Sequence, residues 1–338
     1  MKAIGIYEGA PSAKSQQFAE IELAKPVPTG DDLLVKVSAI SVNPVDTKVR
    51  QATAVQSQLK ILGYDAVGII DSVGPKVTEY HRGDRVFYAG TNQRSGSNQE
   101  FQLVDARLVS LAPQKLSDAD AAAMPLTMLT AYELIFEKFQ AKFGPQANLG
   151  RTMLIINGAG GVGSSAIQLA KWAGFKVIAT ASRPETVEWV TKMGADLVVN
   201  HHHDLWQQLG DQYADKIDDI MILHSTENYF DVAAKLVRPL GHVGSIVETS
   251  KPVALGKLKD KAASFDWEFM FAKAKYEIEV ESQGKILADL AKLLDSGAVA
   301  STRTQTINSI STTTLQQAHE QVEANKMVGK LVLVGPFN

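Results

Sequence analysis

The spacing of apolar positions along this chain changes near residue 127. Before it they fall in short runs, such as 32–40, 66–73 and 101–105, separated by turn-forming segments at 28–31 and 81–85. Closely spaced strands broken by Gly, Pro and Asp predict a small, mostly antiparallel barrel or sheet. Beyond residue 127, strand-length apolar runs alternate with helix-length stretches. Strands are expected at 152–157, 176–181, 196–200, 218–224 and 242–247, and helices near 162–173, 184–193 and 229–238. Parallel strands need a crossover and helices supply it, so the alternation predicts a doubly wound parallel sheet. After about 272 follow an amphipathic helix over 285–295, a Thr/Ser-rich strand, a helix around 315–325 and a terminal strand over 330–334. Those strands need a sheet to pair with, which assigns the tail to the first domain. The expected fold class is α/β, with one β-rich domain from 1–126 and 272–338 and a second domain over 127–271.

Between the first strand and first helix of the second domain stands Gly158-Ala-Gly160-Gly161-Val162-Gly163. In a strand–turn–helix context this spacing suits a dinucleotide. Gly158 allows a tight turn, Gly160 removes a side chain that would block a pyrophosphate, and Gly163 lets helix and strand pack closely. The helix start at Gly161 and Val162 offers free N–H groups and a positive dipole end. The next strand ends in Ala181-Ser182-Arg183, with no acid to hold a ribose 2′-hydroxyl. The nearest acid, Glu185, fits a capping box with Ser182 around Pro184. Ser182 and Arg183 are then expected at a 2′-phosphate, which selects NADPH over NADH.

Composition narrows the partners. The chain has 338 residues, 45% of them hydrophobic, enough for two cores, and a net charge of −3 that implies no nucleic-acid or anionic-membrane partner. It has no cysteine, which excludes disulfides and thiolate metal sites and fits a reducing compartment. The N-terminus lacks a signal-peptide pattern and no apolar stretch is long enough for a bilayer, so a cytoplasmic location is expected.

Several segments carry a family resemblance. Asn43-Pro-Val-Asp46-Thr-Lys48-Val-Arg50, Gly63-Tyr64-Asp65-Ala-Val-Gly68, Gly83-Asp-Arg-Val86, Met193-Gly-Ala-Asp196 and Gly329-Lys330-Leu-Val-Leu333 resemble the quinone oxidoreductase branch of the medium-chain dehydrogenase/reductase superfamily. Ser264-Phe-Asp-Trp-Glu-Phe-Met-Phe271 resembles the subgroup called zinc-type alcohol dehydrogenase-like. The resemblance covers essentially the whole chain. It implies a GroES-like catalytic domain and a Rossmann domain, assembled as a homodimer or homotetramer.

The zinc in that label has no ligands to match. Asn43 stands where the resemblance implies the first cysteine, Tyr64 where it implies histidine, and Asp65 follows in place of Glu; the chain also lacks the cysteine-rich lobe. The run His201-His-His203 reads as a polar loop, since consecutive side chains diverge. No metal is expected. An alcohol needs a Lewis acid or strong base, whereas a quinone or enone accepts hydride as it stands and needs only donors near its oxygen. The resemblance makes Asn43 and Tyr64 the expected substrate contacts. It leaves Lys48 where many such reductases carry tyrosine, and suggests Asp46 and Arg50 as a structural ion pair.

The same resemblance implies cofactor contacts from Thr127, Thr130, His201, His224, Ser225 and Val247, with Phe269 and Phe271 at the nicotinamide end and Lys330 closing the site. The expected activity is zinc-independent hydride transfer from NADPH to a quinone. The alternatives are alkenal or enone double-bond reduction and, last, a non-catalytic NADPH sensor.

Overall fold

The computed structural model describes residues 1–9 and 18–338. The chain divides into two compact units, Met1–Leu126 with Phe271–Asn338, and Thr127–Met270. Phe271 therefore belongs to the first unit, one residue away from the boundary expected above.

The first unit opens with β1 (Lys2–Ile6), β2 (Ala19–Glu22), β3 (Asp32–Ser41), α1 (Pro44–Ala52), β4 (Lys60–Ile61), β5 (Asp65–Val73), β6 (Arg85–Tyr88), β7 (Phe101–Asp105), β8 (Val109–Leu111) and α2 (Asp118–Ala122). Strands β2, β1 and β4 form a small antiparallel sheet. The larger sheet is organised by β3, whose ten residues reach several partners. It pairs with β5 along one edge, while β7 takes Asp32–Lys36 on the other. Its buried side chains Leu33, Val35, Val37 and Ile40 join Ile4, Ile6, Val86 and Tyr88 in one core.

Helix α3 (Pro125–Tyr132) leads into the second unit, where a π-helical turn follows at Glu133–Lys138. The succession is then β9 (Thr152–Ile156), α4 (Gly161–Trp172), β10 (Lys176–Thr180), α5 (Pro184–Met193), β11 (Leu197–Val199), α6 (Leu205–Tyr213), β12 (Ile217–Ile222), α7 (Thr226–Leu236), β13 (Val237–Ser245) and β14 (Ser264–Trp267). Strand order is β11-β10-β9-β12-β13-β14, all parallel. Buried on both faces, the central strands read as continuous Ile/Leu/Met/Val runs, which a doubly wound sheet requires. The order reverses between β9 and β12, the switch point outside whose carboxyl ends such sheets bind ligands.

The tail comprises α8 (Ala272–Tyr276), α9 (Glu281–Ser296), β15 (Arg303–Ile310), α10 (Thr312–Glu323) and β16 (Lys330–Phe337). β16 adds antiparallel to β3 through Ser41↔Val332 and Ala39↔Val334, and β15 lies parallel outside it. The tail thus completes the sheet of the first unit. No helix among the described residues is long and apolar enough to cross a membrane.

Candidate active site

Strand register builds a polar cluster in the first unit. Ser41 at the end of β3 lies opposite Asp65 at the start of β5 and opposite Val332 of β16. That alignment brings together Asn43, just past β3, Asp65, and Lys330 at the first position of β16. The Lys330 ammonium donates to Asn43 Oδ1, to the Val42 carbonyl at 3.1 Å and to Asp65 Oδ2 at 3.3 Å. Asn43 Nδ2 donates to Asp65 Oδ2 at 2.8 Å, and Asp65 Oδ1 accepts the Leu126 N–H at 2.7 Å. All three side chains are buried. Burial raises the Asp65 carboxyl and lowers the Lys330 ammonium, each opposed by the other's charge. A buried ion pair survives only when its remaining donors and acceptors are met, as they are here.

Helix α1 contributes the fourth member. Asn43 is its N-cap and Pro44 opens it; Asp46 Oδ2 reaches back to the Asn43 N–H at 2.7 Å. Asp46 Oδ1 is sealed from water and meets no donor among the described residues. Burial pushes this carboxyl up to about 7, against the backbone N–H of Asn43 and the charge of Lys330. Arg50 does not pair with Asp46 as expected. One helical turn further on, it is fully buried and paired with Glu323 of α10. Lys48 is exposed.

Tyr64 is 6% exposed, its ring tilted on Phe271 with centroids 4.6 Å apart. Its hydroxyl makes no hydrogen bond to the described residues, yet it is not among the sealed, unpartnered atoms. Burial, then the nearby Asp46 charge, raises the phenol above its ordinary value. Of the two expected substrate contacts, then, Asn43 has its amide committed inward while Tyr64 keeps a free donor. Lys330 likewise is an interior cation, with its ammonium hydrogens directed at protein acceptors, and Phe271 packs on Tyr64 apart from the half-exposed Phe269.

The donor set does not fit zinc. Asn43 Oδ1 and Asp65 Oδ2 both accept from the Lys330 ammonium, so a divalent ion there would sit against a buried positive charge. Among the described residues no group of three or more His, Cys, Asp or Glu is arranged to hold a metal, His201–His203 included.

In the second unit the glycine turn joins β9 to α4. The left-handed residue is Asn157, at φ 69°, and Gly158 has no positive φ. Space around Gly158 is tight instead, since a Cβ would lie 3.0 Å from Ala179 Cβ and 3.2 Å from side-chain carbons of Ile167 and Val190. At Gly163 a Cβ would lie 2.5 Å from the Asn157 carbonyl oxygen, so helix and strand end touch there. A Cβ at Gly160 would meet only Asn157, at 3.3 Å from its amide nitrogen, and Gly160 is partly exposed. Gly161, Val162 and Gly163 form the first turn of α4, whose N–H groups have no intrahelical acceptor. A partly exposed turn facing free N–H groups fits a pyrophosphate.

Thr180, which sequence reading missed, ties this turn to the adjacent loop. Its hydroxyl accepts from Asn157 N at 2.9 Å and lies 3.2 Å from His201 Nδ1, while its carbonyl accepts from Gly158 N at 3.1 Å. Burial lowers the His201 imidazole, so the ring stays neutral. The expected capping box of Ser182 and Glu185 does not form: α5 begins after Arg183, whose backbone N–H donates to Thr186 Oγ1 at 3.0 Å. Glu185 instead lies 2.8 Å from Arg183 Nε, a half-exposed ion pair. At the end of β12, Ser225 adopts φ 48° and its hydroxyl meets His224 Nδ1 at 2.7 Å. Thr226, also missed, bonds Ser245 Oγ at 2.6 Å and the Val247 carbonyl, fixing the loop after β13. Thr127 accepts Ser165 Oγ at 3.2 Å and is buried, as is Thr130.

Comparison with known proteins decides the family. Residues 29–114 match the alcohol dehydrogenase GroES-like domain and residues 161–259 the zinc-binding dehydrogenase family. A zinc-type alcohol dehydrogenase-like protein of Staphylococcus aureus (strain MRSA252) is 43% identical over 334 residues, covering 98% of this chain and 99% of that protein. The chain belongs to the medium-chain dehydrogenase/reductase superfamily. Its fold is that of the superfamily: a solved candidate zinc-dependent alcohol dehydrogenase from Rhizobium etli CFN 42 superposes with a TM-score of 0.93 at 40% identity, covering 100% of this chain and 99% of the other. An NADPH-dependent alkenal/one oxidoreductase of Arabidopsis thaliana is 33% identical over 80% of this chain and 63% of its own length. Superfamily members are oxidoreductases that use a nicotinamide dinucleotide, and this chain is one of them.

Proposed function

We propose that this oxidoreductase is a zinc-independent reductase that passes hydride from NADPH to a quinone, with Tyr64 as the donor to the oxygen that becomes anionic. The observation that carries the reading is the Lys330 ammonium bonded to Asn43 and Asp65. A protein ammonium ties up the residues that stand where zinc-dependent members carry metal ligands, and what remains for substrate is the hydroxyl of Tyr64. NADPH, when bound, supplies the hydride. The turn at Gly160 and the first turn of α4 hold its pyrophosphate; Arg183 and Ser182 hold its 2′-phosphate beside the neutral His201. Thr127, Thr130, His224, Ser225, Val247 and Phe269 are proposed to line its remaining length.

A neutral phenol suits an acceptor that is already an electrophile. It gives the acceptor oxygen a hydrogen bond that strengthens as charge develops there, and then a proton. A simple alcohol, in contrast, would need its own proton taken by a base, and this phenol, held protonated by its burial, cannot serve as one. A second reading, reduction of an alkenal or enone double bond, is favoured by the Arabidopsis relative, whose name specifies that activity. The same donor serves it, because an enone also becomes an oxygen-centred anion.

The test is NADPH oxidation by metal-analysed protein with 1,4-benzoquinone, 9,10-phenanthrenequinone, 2-cyclohexenone and an alkenal, beside NADP⁺ reduction with a simple alcohol. Quinone turnover that survives chelation supports the first reading. Enone turnover alone moves the assignment to the second. Alcohol oxidation lost on chelation would overturn both.

A further inference from the structure

Resting on the reading of Tyr64 as donor, we propose that Asp46 is held as a neutral carboxylic acid and acts through Tyr64 as a positioning residue, keeping the phenol able to release its proton. The geometry favours the neutral form. The cluster contains two buried carboxyls and one ammonium, and the ammonium hydrogens go to Asn43, Val42 and Asp65, none of them to Asp46. Asp65 is further held by Asn43 Nδ2 and the Leu126 N–H. Asp46 has only the Asn43 N–H, on one oxygen; the other is sealed and bare. An ionised carboxylate with a bare oxygen is far costlier to bury than its acid form, even though the acid's O–H also lacks a partner on that side.

Other charges do not relieve it. On its own helix Lys48 points to solvent and Arg50 is engaged by Glu323 of α10. His319 of α10 is buried and kept neutral, pushed down to about 3 by burial and by Arg50. From β5 and β16 the facing groups are Asp65 and Lys330. The same direction follows from the Asp46 carboxyl lying near 7 rather than in the ordinary carboxylate range.

The link to chemistry is the field of Asp46 at the Tyr64 hydroxyl, which raises the phenol when Asp46 is ionised. With Asp46 neutral that repulsion vanishes and the phenolate is easier to form. In the reduction step the acceptor oxygen gains an electron pair from hydride addition. The Tyr64 O–H bond breaks, the acceptor O–H bond forms, and the phenolate recovers a proton from solvent. Asp46 keeps its proton throughout.

The experiment uses Asp46→Asn, which preserves an acceptor for the Asn43 N–H and is neutral at every pH. At saturating NADPH and quinone, wild-type kcat is expected to fall at least about tenfold as pH rises through about 7, while D46N shows no such limb. In a Tyr64→Phe background the effect of adding D46N should disappear. An unchanged limb in D46N overturns the proposal, as does a D46N effect that persists in Y64F. A difference infrared spectrum, wild type minus D46N, gives a readout independent of turnover: a carboxylic-acid C=O band at neutral pH is expected. Its absence overturns the proposal even if the enzyme reduces quinones. Its presence in a protein that reduces neither quinone nor enone would sink the reductase reading while showing the proton on Asp46.

Discussion

Lys330 Nζ sits 3.3 Å from Asp65 Oδ2, with neither side chain exposed to solvent beyond a few per cent. The two residues are 265 positions apart in sequence and are joined because β16 and β5 flank β3 at the same end. The pair locks the tail of the chain to its first domain and fills the polar centre of the cluster. Lys330→Met should therefore cost about 3–5 kcal/mol, because it strands the Asp65 charge in the interior. Urea unfolding measures it. Adding Asp65→Asn to K330M should recover part of the loss, and equal loss in single and double variants would mean that the charge was not the cause.

Tyr64→Phe removes a hydroxyl that makes no hydrogen bond to the described residues, without emptying its packing on Phe271. We expect kcat to fall by about 10²-fold with the NADPH dissociation constant unchanged. Stopped-flow rates and fluorescence titration of NADPH separate the two. An unaltered kcat would remove Tyr64 from the chemistry.

Asp46 also makes stability depend on pH. Its folded value, about 7, lies above the ordinary 3.8, so between those limits the folded protein holds a proton that the unfolded chain releases. Stability contributed by this group is then greatest below about pH 4, declines as pH rises to about 7, and is level above, a loss of up to about 4 kcal/mol. His319 acts in the opposite sense, since its folded value of about 3 lies below 6.5 and stability is lost as pH falls between them. D46N should therefore gain on wild type as pH rises from about 4 to about 7 in urea titrations, and an unchanging difference would place the ionised form in the folded state.

How far these features can be read from sequence depends on whether they are local. The alternation of strands and helices from residue 152 onward, the glycine turn and the return of the tail all follow from periodicity and from the need of edge strands for partners. The Lys330–Asp65 pair is set by strand register across most of the chain, and no local pattern announces it. Two expectations failed for the same reason. Arg50 carries an i,i+4 spacing from Asp46 that suits an ion pair, but α10 brings Glu323 to it. Glu185 stands three residues after Ser182, yet the helix starts one residue later, which makes Arg183 the cap and Thr186 its partner. Thr180 and Thr226 are single hydroxyls whose roles exist only once neighbouring strand ends are side by side.

Gly160 and Gly163 should respond differently to the same added methyl. Gly163→Ala places a Cβ 2.5 Å from a backbone oxygen, where neither partner can yield, so unfolding free energy should drop by about 2 kcal/mol or more. Gly160→Ala meets only Asn157, at 3.3 Å from the amide nitrogen, and should fold normally while binding NADPH at least about tenfold more weakly. Calorimetry of the apo protein beside NADPH titration distinguishes stability from binding. Full NADPH affinity in G160A would move the pyrophosphate off this turn.

Arg183 is engaged by Glu185 at 2.8 Å, so a 2′-phosphate must compete with a carboxylate for the guanidinium. Half-exposed pairs of this kind are weak, and a dianionic phosphate offers more charge and can engage the guanidinium through two hydrogen bonds. Glu185→Gln removes the competitor and should strengthen NADPH binding severalfold with little change for NADH. Arg183→Ala should do the reverse, weakening NADPH by about tenfold or more and leaving NADH nearly unaffected. Both effects should shrink as salt rises, because exposed charges are screened within about 10 Å at about 0.1 M. Equal changes for the two cofactors in either variant would place the 2′-phosphate away from Arg183 and return the discrimination to Ser182 and His201.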